Sequence, residues 1–574
     1  MCGIFALLNT YGFTEEIINT QFEKGKNRGP EYSKLESCLN SQLKLGFHRL
    51  AINGLNEKSN QPFNIKNINL ICNGEIYNYK YLYELMDIKP ETDSDCEVII
   101  HLYLRYGIEQ TLQMLDGVFA FILYDPNNSN VYVARDPLGV RPLYQISNLE
   151  NYALVGFASE LKCLNEFTNI DITLNDVNNV NDISHKKNIK IIKKITQFEP
   201  GTYSIFNYKS LWWSSIKQNI PYFIPTFSSS NHKFEWQYYF DNIIDCLTKS
   251  VEKRCLATER PIACLLSGGL DSSLITALVN EFYTSKYSNT KLETYSIGLA
   301  GSEDLKYARI VANYLNTNHT EIIVTEKEMF DAIPEVIYAI ESYDTTTVRA
   351  SIGNYLLGKY IAKHSNAKVI FNGDGSDELC GGYLYMNKCP DSIEFDMETR
   401  RLLKDIHLFD VLRSDKSISS HGLEPRTPFL DKNFVNYYLS IPPYARNHNN
   451  FGKCEKYLIR KSFSLPIFEN LIGKQILPDE ILWRKKEAFS DGVTGLDRSL
   501  FHILQEFISA ELNLPANIET EKYYYKFIFE KYYPKMSYIL PYFWMPKYTN
   551  ATDPSARTLE HYSCFKTTEK KHYK

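Results

Sequence analysis

An apolar run, Ile262-Ala263-Cys264-Leu265-Leu266, leads directly into Ser267-Gly268-Gly269-Leu270-Asp271-Ser272-Ser273, and residues 274–279 then take up an apolar helical pattern. A buried strand, a glycine-bearing turn and a helix in that order admit few folds. Such a strand needs cover on both faces, as in a parallel sheet flanked by helices. The surrounding sequence repeats the alternation. Residues 234–256 have helical periodicity, 294–299 read as extended, 304–316 as a helix, 320–324 as a strand, and Lys368-Val369-Ile370-Phe371 ends at Asn372-Gly373-Asp374-Gly375. The stretch 391–550 reads as mostly helical. An α/β domain with a parallel sheet is expected over 234–560, followed by a charged tail at 561–574.

The chain has 574 residues, more than the roughly 300 that one hydrophobic core organises. Residues 1–160 have a different character. Short β-prone runs such as Val118-Phe119-Ala120-Phe121-Ile122-Leu123-Tyr124 are broken by turns such as Asp125-Pro126-Asn127-Asn128. Residues 96–105 look helical. Antiparallel sheets with flanking helices, an α+β domain over 1–213, fit this mixture. The Asn-, Asp- and Lys-rich stretch 164–196 reads as a surface elaboration. The tract 214–233, with its prolines and serine cluster, reads as a linker.

Composition excludes several function classes. With 63 Lys+Arg against 68 Asp+Glu, a nucleic-acid-binding surface is not indicated. No stretch approaches the ~18 apolar residues of a membrane span. The start, Met1-Cys2-Gly3-Ile4-Phe5-Ala6-Leu7-Leu8, lacks a basic region and reads as a buried strand rather than a signal peptide. The 12 cysteines include no Cys-x-x-Cys pair. Free thiols in a reducing, cytoplasmic compartment are expected.

Several residues invite chemistry. Removal of Met1 would leave Cys2 with a free α-amine beside its thiol, a minimal base and nucleophile. Arg49 offers a guanidinium fork for a carboxylate. Asn73 and Gly74, after an apolar strand, supply an amide and a backbone N–H that suit an oxyanion. Asp95 in Asp93-Ser94-Asp95 either caps a helix or receives an ammonium group. The loop 267–273 offers backbone N–H groups at a helix N-terminus, a phosphate cradle distinct from the Gly-x4-Gly-Lys-Ser/Thr loop. Asp271 there suits Mg²⁺. The acid- and glycine-dense stretch 373–383 suggests close approach to a ligand and a cation. Ile297, in Ser296-Ile297-Gly298-Leu299, ends an adjacent strand and suits a base or ribose contact. Glu341 and Asp344 form either a surface acidic pair or part of a site. Lys453 and Lys456 lie where a helix starts, a place the helix dipole disfavours for a cation, which favours a phosphate-neutralising role.

Together these residues resemble the glutamine-hydrolysing asparagine synthetases. Met-Cys-Gly-Ile at 1–4, Arg-Gly-Pro-Glu at 28–31, Asn-Gly-Glu-Ile-Tyr-Asn at 73–78 and Arg-Asp-Pro-Leu-Gly-Val-Arg-Pro at 135–142 resemble a class II, N-terminal-nucleophile glutaminase with an αββα sandwich. Ser-Gly-Gly-Leu-Asp-Ser-Ser at 267–273, Gly-Asp-Gly-Ser-Asp-Glu-Leu at 373–379 and Trp-Arg-Lys-Lys-Glu-Ala-Phe-Ser-Asp-Gly at 483–492 resemble an ATP-pyrophosphatase-type synthetase of the adenine-nucleotide α-hydrolase kind. The resemblance implies that Cys2 is the nucleophile, that Asn73 and Gly74 form the oxyanion hole, and that Arg49, Glu75 and Asp95 bind L-glutamine. It implies ATP binding by Leu266, Ser267, Gly268, Gly269, Asp271, Ser272, Ile297, Gly373 and Asp374, with Mg²⁺ at Asp271 and Asp377. It assigns Glu341 as acceptor of a proton from ammonia and Lys456 as the lysine that stabilises adenylation, with Lys453 the lesser candidate. The implied reaction joins L-aspartate, ATP and glutamine-derived ammonia through β-aspartyl-AMP, with a sheltered ammonia passage. A homodimer is the expected assembly.

Other glutaminase-bearing enzymes would need sugar-isomerase, phosphoribosyltransferase or flavin and iron–sulfur domains, to which 267–273 does not point. A β-lactam-forming relative shares the adenylating fold, but Cys2 and the glutamine site argue against it. A non-catalytic glutaminase-like protein would have lost Cys2, Asp271 or Asp377, and all three are present.

Overall fold

A computed structural model describes residues 2–559, apart from 11–12, 40–41, 149–153, 169–192, 227–234, 287–289, 465–466, 469–474 and 496–497. The chain forms two compact units: Met1–Ile224 with Ser419–Leu423, and Pro225–Ile418 with Glu424–Lys574.

Among the described residues, the first unit holds twelve strands: β1 (Gly3–Leu8), β2 (Tyr32–Cys38), β3 (Leu43–Arg49), β4 (Phe63–Ile65), β5 (Ile68–Ile76), β6 (Gly117–Asp125), β7 (Asn130–Arg135), β8 (Tyr144–Asn148), β9 (Val155–Ala158), β10 (Lys193–Gln197), β11 (Thr202–Lys209) and β12 (Trp212–Pro221). They build two six-stranded sheets, in the orders β10-β8-β9-β1-β3-β2 and β12-β11-β7-β6-β5-β4. Alternation along the strands decides the layers. Ile4, Ala6, Leu8, Leu45 and Phe47 of one sheet meet Ile71, Ala120, Ile122 and Val133 of the other in a shared core. Phe5, pointing the opposite way, packs its ring 5.9 Å from Phe22 of the helix Glu15–Glu23. On the far side, Leu70, Cys72, Phe119 and Phe121 pack with Leu82, Ile99 and Leu102 of the helices Tyr79–Met86 and Val98–Met114. The result is an αββα sandwich.

Two expectations need correction here. Residues 214–221 are not linker but most of β12, an edge strand paired antiparallel with β11. The stretch 164–196 is not wholly peripheral. Leu164, Phe167 and Ile195 are buried, and β10 is an edge strand paired with β8. Residues 169–192 and the tail 561–574 lie outside the described residues.

The second unit contains β13 (Ile262–Leu265), β14 (Glu293–Leu299), β15 (Asn318–Val324), β16 (Val369–Phe371) and β17 (Glu424–Arg426), all parallel, in the order β15-β14-β13-β16-β17. The chain steps outward from β13 to β14 and β15, then restarts on the other side at β16. That reversal opens a crevice at the carboxyl ends of β13 and β16, where open parallel sheets bind ligands. The helix Trp236–Leu256 buries Phe240, Ile243, Leu247 and Val251. Among the described residues, no helix is long and apolar enough to cross a membrane.

Candidate active sites

In the first unit, the pairing of Gly3 with His48 brings Cys2 to the end of β3, where Arg49 closes the strand. The Cys2 backbone nitrogen donates to Asn73 Oδ1 at 3.2 Å, and its Sγ lies 3.7 Å from the Leu50 carbonyl. Arg28 Nε donates to the Cys2 carbonyl at 3.0 Å. Arg28 Nη1 reaches Glu160 Oε1 at 2.8 Å and Ser419 Oγ at 2.9 Å. Arg28, Glu160 and Ser159, whose Oγ accepts from Asn73 Nδ2 at 3.5 Å, were not expected in the site. The signal for Arg28 was its place in Arg-Gly-Pro-Glu.

Asn73 and Gly74 do not follow β5 but lie within it, opposite Ala120 and Phe119. The Asn73 side chain is fully buried. Glu75 Oε2 accepts from Asn53 Nδ2 at 2.8 Å. Asp95 is not a helix cap. Ser94 caps the turn by accepting from Cys96 N, which leaves the buried Asp95 carboxylate to accept from Ile76 N at 2.7 Å. Arg49 is buried and holds the turn after it, through the carbonyls of Gly54, Asn53 (3.3 Å) and Asn56 (3.0 Å) and through Asn60 Oδ1 (2.7 Å). Cys2, Arg49, Asn73, Gly74, Glu75 and Asp95 thus gather around the ends of β1, β3 and β5.

In the second unit, a cleft of about 190 Å³ occupies the crevice at β13 and β16. Leu266, Ser267, Gly269, Asp271 and Ser272 line it, with Ile297, Gly373, Asp374, Asp377 and Lys456. Gly268 does not. It turns at φ +72° against the helix Glu303–Leu315, where a Cβ would stand 2.4 Å from Ala308 N. The loop is braced by its own hydroxyls: Ser267 N donates to Ser272 Oγ at 3.2 Å, and the two Oγ atoms lie 2.9 Å apart. A Cβ on Gly373 would lie 2.7 Å from the Asp271 carbonyl carbon and the Ser272 nitrogen. Only glycine lets the two strand-end loops come this close.

Opposite charges meet at the mouth of this loop. Lys456 Nζ lies 2.6 Å from Asp271 Oδ2 and 2.5 Å from Asp377 Oδ1. Lys486 Nζ lies 2.5 Å from Asp377 Oδ2 and 3.9 Å from Asp271 Oδ2. Burial alone would raise the Asp377 pKa, but the two ammonium groups outweigh it and hold the carboxyl well below its usual range. The same carboxylates overcome burial at Lys456 and keep it charged. Lys453 is exposed, its Nζ over the Tyr457 ring, so the two candidate lysines separate cleanly.

Asp271 Oδ1 and Asp374 Oδ2 are buried without a hydrogen-bond partner. Among the described residues, no cluster of three or more His, Cys, Asp or Glu side chains stands ready for a metal. One or two carboxylates with spare oxygens beside a phosphate cradle fit Mg²⁺, which completes its shell with water and phosphate oxygens.

The sequence reading missed Lys486, Arg484 and Arg413. Arg484 stacks on Tyr307 at 4.0 Å, pairs with Asp304 at 3.0 Å and donates to the Ser267 carbonyl at 3.4 Å. Burial pushes the Asp304 carboxyl up to about 6. The cue was the basic run Arg484-Lys485-Lys486. Arg413 reaches Asp374 Oδ1 at 3.1 Å from the helix Asp410–Ser419 and had no sequence cue. Glu341 and Asp344 are not a surface pair, since both are buried. Glu341 sits at φ +57° at the end of the helix Ile333–Ile340 with its carboxylate against Lys416, away from the cleft lining. Asp344 caps the helix Thr345–His364 through Thr347 N at 2.8 Å.

Two family models match the chain: a glutamine amidotransferase domain over residues 1–215, and asparagine synthase over 242–397 and 389–538. The glutamine-hydrolysing asparagine synthetase of Gallus gallus is 41% identical over 595 residues, covering 98% of this chain and 99% of its own. The Homo sapiens enzyme of that name is 38% identical over 602 residues, with the same coverage of both chains. The chain belongs to the glutamine-hydrolysing asparagine synthetases. It is therefore an ATP-using ligase of amino-acid biosynthesis that makes asparagine with glutamine as nitrogen donor. In this synthetase the sandwich is the glutamine amidotransferase domain and the parallel-sheet unit the ATP-binding asparagine synthase domain.

Proposed function

We propose that the two sites divide the synthetase reaction as follows. With Met1 removed, the Cys2 thiolate attacks the amide carbon of L-glutamine, and the Cys2 α-amine carries the proton to the departing nitrogen. Asn73, whose Oδ1 already faces the Cys2 nitrogen, turns its amide N–H₂ with the Gly74 N–H toward the developing oxyanion. Arg49 takes the substrate carboxylate, and Glu75 and Asp95 take its ammonium group. Water then cleaves the thioester and releases glutamate.

In the second unit, an oxygen of the L-aspartate side chain attacks the α-phosphorus of ATP and pyrophosphate leaves. The loop 267–272 holds the phosphates, while Ile297, Gly373 and Asp374 flank the nucleotide. Lys456 and Lys486 neutralise charge that builds on the phosphates. Mg²⁺, held by Asp271 and Asp377, would screen the phosphate oxygens. Ammonia attacks the resulting acyl carbon and AMP leaves; Glu341, which does not itself line the cleft, is the acceptor assigned to the surplus proton, reached by relay. A carboxylate resists amidation because oxide is a poor leaving group, and AMP is a good one.

The observation that carries this reading is the Lys456 ammonium set between Asp271 and Asp377 at the phosphate loop. Supplied with aspartate, Mg-ATP and glutamine, the enzyme should yield asparagine, AMP and pyrophosphate in equal amounts. Formation of ADP would refute the adenylate route. Cys2→Ala should abolish glutamine use and leave added ammonia productive, and equal loss with both donors would refute the division of labour.

A further inference from the structure

Residues 553–557 touch both walls of the nucleotide cleft. One wall is the helix Thr345–His364, which lines the cleft through Thr346, Ala350 and Asn354. The other is the stretch 484–490, which carries Arg484, Lys485 and Lys486. On the first wall, Arg349 grips Asp553 with two parallel hydrogen bonds, Nη1 to Oδ1 and Nη2 to Oδ2, both 2.8 Å. Its remaining edge holds Glu521 at 2.8 and 2.5 Å. On the second wall, Ser555 Oγ lies 2.8 and 3.0 Å from the two oxygens of Asp491, the residue after Ser490 of the cleft lining. Ser555 N also donates to Asp553 Oδ1 at 2.8 Å. The two anchors are therefore two residues apart and directly bonded. Arg349, Asp491, Asp553 and Ser555 are all buried. A second hollow is lined by Thr346 and Arg349 from the first wall, Ala488 and Ser490 from the second, and Pro554 and Ser555 between them.

The second wall needs such support. Residues 484–488 form no helix or strand, so no backbone ladder fixes them. Lys486 ties this stretch to Asp377 near one end, and Asp491 ties it to Ser555 at the other. Charged groups act on a transferring phosphoryl group only when placed to fractions of an ångström.

We propose that Asp553 and Ser555 form a latch that sets the spacing of the two cleft walls and so the grip of the enzyme on the nucleoside triphosphate. They are positioning residues. They act through Arg349 on one wall and Asp491 on the other. The proposal rests on the reading of the cleft as the ATP site.

The test compares full-length wild type, Ser555→Ala and Ser555→Thr. Pyrophosphate release is followed against Mg-ATP concentration with ammonium as nitrogen donor, and glutamine hydrolysis is measured without ATP on the same samples. Loss of one charge-assisted hydrogen bond should raise the KM for ATP about tenfold in Ser555→Ala, with kcat changed less than about threefold. Glutamine hydrolysis should not change, and Ser555→Thr, which keeps the hydroxyl, should restore the KM. An unmoved KM in Ser555→Ala overturns the latch. So does a KM in Ser555→Thr as high as in Ser555→Ala, or glutamine hydrolysis that falls in step. A wild type that forms no AMP and pyrophosphate overturns the ATP reading and the latch with it.

Discussion

Lys456 shows how much one side chain is asked to do. It stands at φ +58° at the start of the helix Tyr457–Ser462, a backbone region that costs a non-glycine residue about 1–3 kcal/mol. The two carboxylates hold it there. Lys456→Met should cut asparagine formation about a hundredfold with either nitrogen donor, as expected for loss of a preorganised charge. Glutamine hydrolysis should be spared, and assaying both activities on one sample checks this. Asp304 supplies a pH test. Its folded pKa of about 6 lies above the ordinary carboxyl value, because burial disfavours the charge. The folded state thus binds the extra proton, and the stability it contributes is full below about pH 4 and fades as pH rises through 6, by up to roughly 3 kcal/mol. Asp304→Asn cannot ionise. Its melting temperature should gain on wild type as pH rises from 4 to 7, and a constant difference across that range would refute the assignment. The sequence placed Lys453 and Lys456 equally near a helix start. The resemblance favoured Lys456, and the tertiary position of Asp271 and Asp377 supplies the physical reason. Asp95 was likewise ambiguous, since its side chain suits a cap and only the neighbouring β5 gives it another donor, at Ile76 N.

Among the elements, the strands that carry chemistry were the most legible. β13 and β16 are buried along their whole length and read as short apolar runs that lead into glycine-bearing loops. β12 was not legible because burial does not define it. Most of its side chains are exposed, and its place comes from the backbone ladder to β11, which leaves no hydrophobic alternation to read. β10 is likewise an edge strand, with Ile195 a wholly buried anchor beside the exposed Lys194 and Thr196. The contact between the loops after β13 and β16 leads to a further prediction. In Gly373→Ala the new methyl meets backbone rather than a movable side-chain tip, so the loops must part. A loss of about 1–3 kcal/mol of stability is expected, together with a raised KM for ATP. Denaturant melts and pyrophosphate release report the two effects separately. A variant with wild-type values of both would mean that the loops yield without cost.

For the molecule as a whole, motifs revealed two catalytic units because each chemistry concentrates its residues at strand ends. The exact partition of the chain was hidden, because it depends on contacts between residues far apart in sequence. The first unit takes in Ser419–Leu423, and the Ser419 hydroxyl meets Arg28, which holds the Cys2 carbonyl. Ser419→Ala should therefore lower kcat/KM for glutamine hydrolysis about fivefold, the worth of one buried hydrogen bond to a charge. An unchanged value would show that Glu160 alone suffices to seat Arg28.

That five-residue patch bears on how such an enzyme can be recombined. A chimera that joins residues 1–224 of one relative to the remainder of another transplants every strand of the sandwich and leaves behind the peptide that completes the seat of Arg28. A faithful exchange has two breakpoints more than the linker suggests, one on each side of 419–423. Hybrids made with the single obvious crossover inherit a glutaminase whose nucleophile is propped by a stranger's serine.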